Sequence, residues 1–298
     1  MKSRRQFLIG SGLGITALAA GGLPQAARGA PPGKRPGIQL YTINEAMRAD
    51  PAGSLQRLRK IGFLEVESAG FGALSAQQFR GLLDDAGLSC PSAHVQFDVD
   101  NLDRAFADAH ALGATYAVSG MMRSLVLGSK TPKDALGTGI SLDEAKGTAA
   151  LANRIGESAR RAGLQFTYHN HNFEFADAGG GATGYDVLLR ETDPQLVKFE
   201  IDCGWMIFAG HDPVTYFKKY PHRFPMIHVK DFLPPASSGP MRGAELGRGT
   251  VDYKPIFAAA SKAGLQHYFV EQEGPFARMS PLEAAQVDYD YLRTIGRA

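Results

Sequence analysis

The chain of 298 residues is 44% hydrophobic and 21% charged, an ordinary balance for a folded globular protein that excludes a disordered or fibrous polypeptide. Its formal charge is +2, but Lys2, Arg4, Arg5 and Arg28 lie in the first thirty residues without any acid; the rest of the chain carries 28 basic against 30 acidic residues, a net of −2, so no basic body remains to grip a nucleic-acid backbone. Only Cys90 and Cys203 are present, both in apolar runs, which favours two separate buried thiols over a disulfide.

The chain opens Ser3-Arg4-Arg5-Gln6-Phe7-Leu8, and an uncharged stretch from Phe7 to Leu23 comes next, rich in Gly, Ala and Leu. A basic start, an apolar middle and small residues near the end make a secretory leader, and the paired arginines resemble a twin-arginine signal. Residues 1–30 are expected to be this signal peptide, cleaved among the small residues between Ala26 and Ala30, with a periplasmic or secreted product. A membrane anchor is the competing reading. The glycines and the 17-residue length make the stretch weakly hydrophobic and short for a span.

Residues 36–298 are expected to form one domain. Short runs that are apolar along nearly their whole length predict strands at Gly37–Tyr41, Phe63–Glu67, Leu88–His94, Thr115–Ser119, Leu164–His169, Leu196–Asp202, Met226–Lys230 and His267–Glu271. Amphipathic stretches between them predict helices at Ser54–Ile61, Ser75–Ala86, Leu102–Leu112, Ser141–Ala162, Tyr185–Glu191, Pro213–Tyr220, Tyr253–Ala263 and Pro281–Ile295. Ser75 and Ser141 suit N-caps, and Gly62, Gly87, Gly113, Gly163 and Gly264 punctuate helix ends. Eight strands, each followed by a helix, predict an α/β fold: a closed parallel (β/α)8 TIM barrel in a single domain. Met122–Gly139 and Leu233–Thr250 are long irregular stretches after strands; they are expected on the rim, as lids or as solvated insertions.

In such a barrel, chemistry sits at the C-terminal strand ends. Seven of the eight predicted ends carry His, Asp, Glu or Gln, including Gln39, Glu67, His94, His169, Asp202, His228 and Glu271. Burying so many ionisable groups together is costly unless they pair or hold a cation. Carboxylates mixed with imidazoles suit Mn²⁺ first, with Mg²⁺, Co²⁺ or Fe²⁺ as alternatives, better than a structural zinc. Lys230 lies two residues beyond His228 and faces the same way; it either steadies a developing negative charge or pairs with Asp231 or Glu200. Trp205, the only tryptophan, is a candidate flat apolar floor beneath a bound ring or plain core.

The segments Gly37-Ile-Gln-Leu-Tyr-Thr42, Tyr168-His-Asn-His-Asn-Phe-Glu-Phe175, Glu200-Ile-Asp-Cys-Gly-Trp205, His228-Val-Lys-Asp231, Glu245-Leu-Gly-Arg-Gly249 and Val270-Glu271 resemble the sugar phosphate isomerase/epimerase family of xylose isomerase-like barrels. The resemblance runs from about Gly37 to Arg293. It implies one divalent metal held by residues of strands five to eight. Asp202, His228 and Glu271 carry over directly as ligands. Glu174 is the favoured fourth ligand, with His169 as the alternative. It further implies proton abstraction beside a sugar carbonyl, with Glu271 and Glu174 as bases and His169 and Lys230 as further catalytic candidates. Gln39, Glu67, His94, His171 and Trp205 are expected to bind the substrate.

The activity so implied is that of an isomerase or epimerase on an unphosphorylated sugar or keto-glycoside, with a lyase or hydratase acting on 3-keto sugars or inosose as the alternative. The expected partner is a small carbohydrate, with neither nucleic acid nor stable membrane association once the leader is removed; association into an oligomer stays open. Two rival readings are a DNA-repair endonuclease of the same superfamily, disfavoured by charge, and a non-catalytic sugar-binding barrel.

Overall fold

The computed structural model describes residues 35–120, 122, 139–233, 242–276 and 278–296. The leader read at 1–30, and most of the two irregular stretches (123–138 and 234–241), lie outside these residues. Eight parallel strands close a barrel in the order β1-β10-β7-β6-β5-β4-β3-β2. They are β1 (Gly37–Gln39), β2 (Glu65–Ala69), β3 (Ser89–His94), β4 (Tyr116–Ser119), β5 (Gln165–His169), β6 (Val197–Asp202), β7 (Met226–Val229) and β10 (His267–Val270). The two-residue strands β8 (Asp231–Phe232) and β9 (Gly243–Ala244) form an antiparallel pair outside the barrel.

The outer helices begin where side chains can satisfy the free N–H groups of a first turn. Ser75, Ser141, Thr183 and Ser280 each close a capping box with the residue three positions on. Gly87 (φ 69°) and Gly113 (φ 79°) end their helices in the left-handed region, which a side chain would strain. Outward-facing strand residues such as Phe166, Phe199, Ile201, Val229 and Val270 are fully buried beneath these helices.

Three departures from the expected elements shape the site. β1 stops at Gln39 because the Gln39 side chain accepts the Tyr41 N–H at 3.0 Å and caps a 3-10 turn, Leu40–Ile43. β6 runs straight into a helix, Cys203–Phe208, because Asp202 Oδ1 accepts the Trp205 N–H at 2.8 Å. After β7, Asp231 accepts backbone N–H groups from Phe232, Gly247, Gly249 and Val251 at 2.8–3.0 Å, which orders part of the stretch expected to be irregular.

Inside the barrel, alternation sends residues i and i+2 to the same face. Val118, Met226 and Phe269, all fully buried, form an apolar floor with Tyr116 packed against it. Above that floor the interior is ionic. Cys90 and Cys203 are both buried and free, and among the described residues no helix is long and apolar enough to cross a membrane.

The last helix, Pro281–Thr294, carries one buried acid, Asp288. Asp288 Oδ1 accepts the Leu246 N–H at 2.7 Å, and burial, reinforced by Glu245 and Asp231, pushes the carboxyl up to about 8. A folded-state value above the unfolded value of about 3.9 means the folded protein holds the extra proton. Stability therefore falls as pH rises from about 4 to about 8. Asp288→Asn keeps the acceptor and is expected to flatten that slope and to raise Tm at pH 8 by about 2–4 °C, the equivalent of about 1 kcal/mol. Thermal melts across pH check this; an unchanged slope refutes it.

Candidate metal centre and its surroundings

From β5, β6 and β7 an inward acid or base is followed two residues on by another (His169 and His171, Glu200 and Asp202, His228 and Lys230), so the polar interior has two tiers. The lower tier comprises Gln39, Glu67, Ser92, His94, His169, Glu200 and His228. Glu67, fully buried, accepts from Ser92 Oγ and, at 2.8 Å, from Gln39 Nε2, and lies 2.6 Å from His228 Nε2 and 3.2 Å from His94 Nε2. Three imidazole nitrogens converge on Glu200 Oε2: His169 Nδ1 at 3.0 Å, with His94 Nε2 and His228 Nε2 each at 3.2 Å.

The upper tier comprises Asp202, Lys230, Glu271 and Glu273, with His171 and Trp205 beside them. The Lys230 ammonium, 1% exposed, lies 2.8 Å from Asp202 Oδ2, 2.8 Å from Glu271 Oε2 and 2.7 Å from Glu273 Oε1. Its partners are thus neither Asp231, which anchors the loop, nor Glu200. Trp205 Nε1 donates to Glu273 at 3.2 Å, and Lys230 Nζ sits 5.1 Å from the Trp205 ring centre. His228 joins the tiers, with Nε2 toward Glu67 and Glu200 and Nδ1 2.9 Å from Glu271.

Burial opposes every charge here, and the neighbours decide the outcome. His94 would be lowered by burial, but Glu67 and Glu200 raise it to about 10. His228 is likewise lowered by burial and carried well above its ordinary value by Glu200, Glu271 and Glu67. Burial resists ionisation of Glu271, yet Lys230 and His228 hold it well below the usual carboxylate range. Glu67 is also held well down, by His94 and His228 against burial. His171 is pushed down to about 3 by burial and the Lys230 charge, and burial with the His228 charge keeps His169 well below its ordinary value. Both are therefore neutral bases at physiological pH.

The donor set fits a divalent cation. Asp202, His228 and Glu271 offer ligand atoms within 4.8 Å of one another, as do His94, His169, Glu200 and His228. Glu200 Oε1 is buried without a hydrogen-bond partner. Burial, aided by Glu271, pushes the Asp202 carboxyl upward even with Lys230 at 2.8 Å. Burial is the main cause of that direction, and the Lys230 and His228 charges only partly oppose it.

Asp202, His228 and Glu271 are thus brought together as the sequence suggested. Glu174 is not among them. It lies in the 3-10 turn Phe173–Phe175, where Oε1 accepts from Tyr168 Oη at 2.8 Å and Oε2 from the His171 N–H at 2.9 Å. That pairing turns it into a buried support for the strand-five loop. His169, the alternative, points into the lower tier. Gln39, Glu67 and His94 sit beneath the mouth and hold other side chains, whereas His171 and Trp205 line the mouth, with ring centres 6.1 Å apart. Sequence reasoning gave Glu273 no role and Glu200 none beyond a possible pairing with Lys230. Their i, i+2 spacing from Asp202 and Glu271 was the signal available.

The profile of the xylose isomerase-like TIM barrel family matches residues 55–295. Inosose dehydratase of Lacticaseibacillus casei is 32% identical over 167 residues, covering 50% of this chain and 54% of that enzyme. That of Geobacillus thermodenitrificans is 31% identical over 160 residues, 47% and 51% respectively. The chain thus spans about half the length of the curated relatives it matches. A crystal structure of a sugar phosphate isomerase/epimerase from Parabacteroides distasonis superposes with a TM-score of 0.72 at 25% identity, over 90% of this chain and 96% of that one.

Proposed function

This chain belongs to the xylose isomerase-like TIM barrel family, and we propose that it removes the proton beside a carbonyl of a polyol ketone or keto-glycoside and then expels the hydroxyl or alkoxyl one carbon further on as water or an alcohol, the departing oxygen taking up a proton in place of the one removed. The observation that carries this reading is the meeting of an ionised Glu271 with the Lys230 ammonium, 2.8 Å apart at the barrel mouth beside Asp202 and His228.

Glu271 is the base, kept as a carboxylate by Lys230 and His228. Lys230 donates to the oxygen that gains negative charge as the proton leaves. Asp202, His228 and Glu271 would hold a divalent ion, which when bound supplies further positive charge beside the substrate oxygens. His171 offers a buried Nδ1 with no hydrogen-bond partner, suited to a substrate hydroxyl. Export, read from residues 1–30, belongs to the same proposal and favours an unphosphorylated substrate.

Elimination is preferred to epimerisation for a structural reason. Two-base epimerisation needs a second carboxylate on the opposite side of the sugar, and the acid proposed for it, Glu174, is occupied by Tyr168 and the His171 backbone. The inosose dehydratase relatives support the same choice. Isomerase or epimerase action is the second reading, supported by the Parabacteroides neighbour.

The test is NMR in D₂O on protein supplied with Mn²⁺ and offered an inosose, a 3-keto-glucoside and a free ketose. Loss of the α proton together with a new unsaturated product supports elimination. Deuterium at an inverted centre, without loss of the β substituent, moves the assignment to epimerase. Binding with neither exchange nor turnover overturns both.

A further inference from the structure

We propose that Trp205 and Phe208 form an outer platform for the apolar face of a second ring, so that the substrate is a glycoside rather than a free sugar. The platform rests on the proposed proton abstraction at Glu271 and assigns the part of the site that chemistry at one carbon leaves unused.

The helix Cys203–Phe208 leaves the C-terminal end of β6 and so stands on the rim. Trp205 and Phe208 are three residues apart, hence neighbours on one helix face. Their rings meet edge to face, with centres 5.9 Å apart and planes at 84°. Phe232, 5% exposed, backs both from 6.3 and 6.1 Å. At the inner end, Trp205 donates to Glu273 and lies beside Lys230 and His171. At the outer end, Phe208 leaves 45% of its surface in solvent. One aromatic strip thus runs from the reacting groups to the outside.

Single exposed apolar residues are ordinary and explain themselves. What sets Phe208 apart is continuity with the catalytic wall. The inner groups (Asp202, Lys230, Glu271 and Glu273) are charged and address oxygens on the reacting ring. The outer ring offers dispersion and hydrophobic contact only. A pyranose presents a face of CH groups, and an aryl aglycone presents a flat π face; either covers Phe208 without leaving a polar group unsatisfied. The expelled group must also travel outward, since the floor of Val118, Met226 and Phe269 closes the other end.

Trp205 is the only tryptophan, so its fluorescence reports the strip directly. The probes are phenyl β-glucoside, cellobiose and methyl β-glucoside, all unoxidised and not turned over. Wild-type protein is expected to bind phenyl glucoside or cellobiose about five-fold tighter than methyl glucoside. Phe208→Ala should erase that preference, and Phe208→Tyr, which keeps the ring, should retain it. A preference for the phenyl compound alone assigns an aryl aglycone, and one for cellobiose a second sugar. No preference in the wild type, or one that survives Phe208→Ala, overturns the platform. Deuterium exchange at the α carbon is read separately, so failure here is distinct from failure of the enzymatic reading.

Discussion

Glu271→Gln is expected to lower the rate of α-proton exchange by about 10²–10⁴-fold at saturating metal, the contribution typical of one positioned base. The amide keeps the shape and can still accept from Lys230 and His228, which lie 2.8 and 2.9 Å from Glu271 Oε2. The change therefore removes the base while leaving the packing. Far-ultraviolet circular dichroism and the melting curve should stay close to wild type, and D₂O NMR should show the substrate bound but unexchanged. Full exchange in this variant would falsify the assignment of Glu271 and direct attention to the neutral imidazoles of His169 and His171.

Lys230→Met carries the second large effect, on stability as well as rate. Its ammonium is buried among Asp202, Glu271 and Glu273, and although burial opposes the charge, these carboxylates hold it well above the ordinary lysine range. For a base with a raised folded-state value, the contribution is complete below the unfolded value of about 10.4 and is lost only as pH rises past the folded one. Throughout the neutral range the variant should thus lose about 3–5 kcal/mol, the cost of leaving buried charges without their partner. Because the ammonium sits on two of the three proposed ligands, its removal should also tighten divalent-ion binding. Added Mn²⁺ is then expected to raise Tm more in Lys230→Met than in wild type. Paired melts with and without Mn²⁺, and a metal titration, decide it. Equal metal response in both proteins means that Asp202 and Glu271 do not form a cation site.

Much of the barrel was legible because its physics is local. Strands buried on both faces must be apolar along their length, and helices between them start at Ser75 and Ser141 and stop at Gly87 and Gly113. The helix Cys203–Phe208 was not legible. Six residues show no period, and its cap, Asp202, also reads as a strand end. The β8–β9 pair likewise depends on Asp231 gathering N–H groups from residues up to 20 positions away, which no local pattern encodes.

The site divides along the same line. Asp202, His228 and Glu271 follow from their positions at strand ends, where backbone geometry alone aims the side chain. Glu174 does not, because its direction depends on how a 3-10 turn rotates and on a Tyr168 hydroxyl ready to receive it. Spacing places it near the mouth, but hydrogen bonding turns it inward. Glu200 illustrates the converse. It shares the inward face of β6 with Asp202, yet its part as the meeting point of His94, His169 and His228 needs three other strands to be in register.

The apolar plug of Val118, Met226 and Phe269 makes the polar interior above it a blind alley among the described residues. On the proposed reading, reactant and product would then share one doorway, and each molecule would have to back out before the next could enter. On the proposed chemistry, a hydron taken up by Glu271 would meet the same apolar layer beneath it.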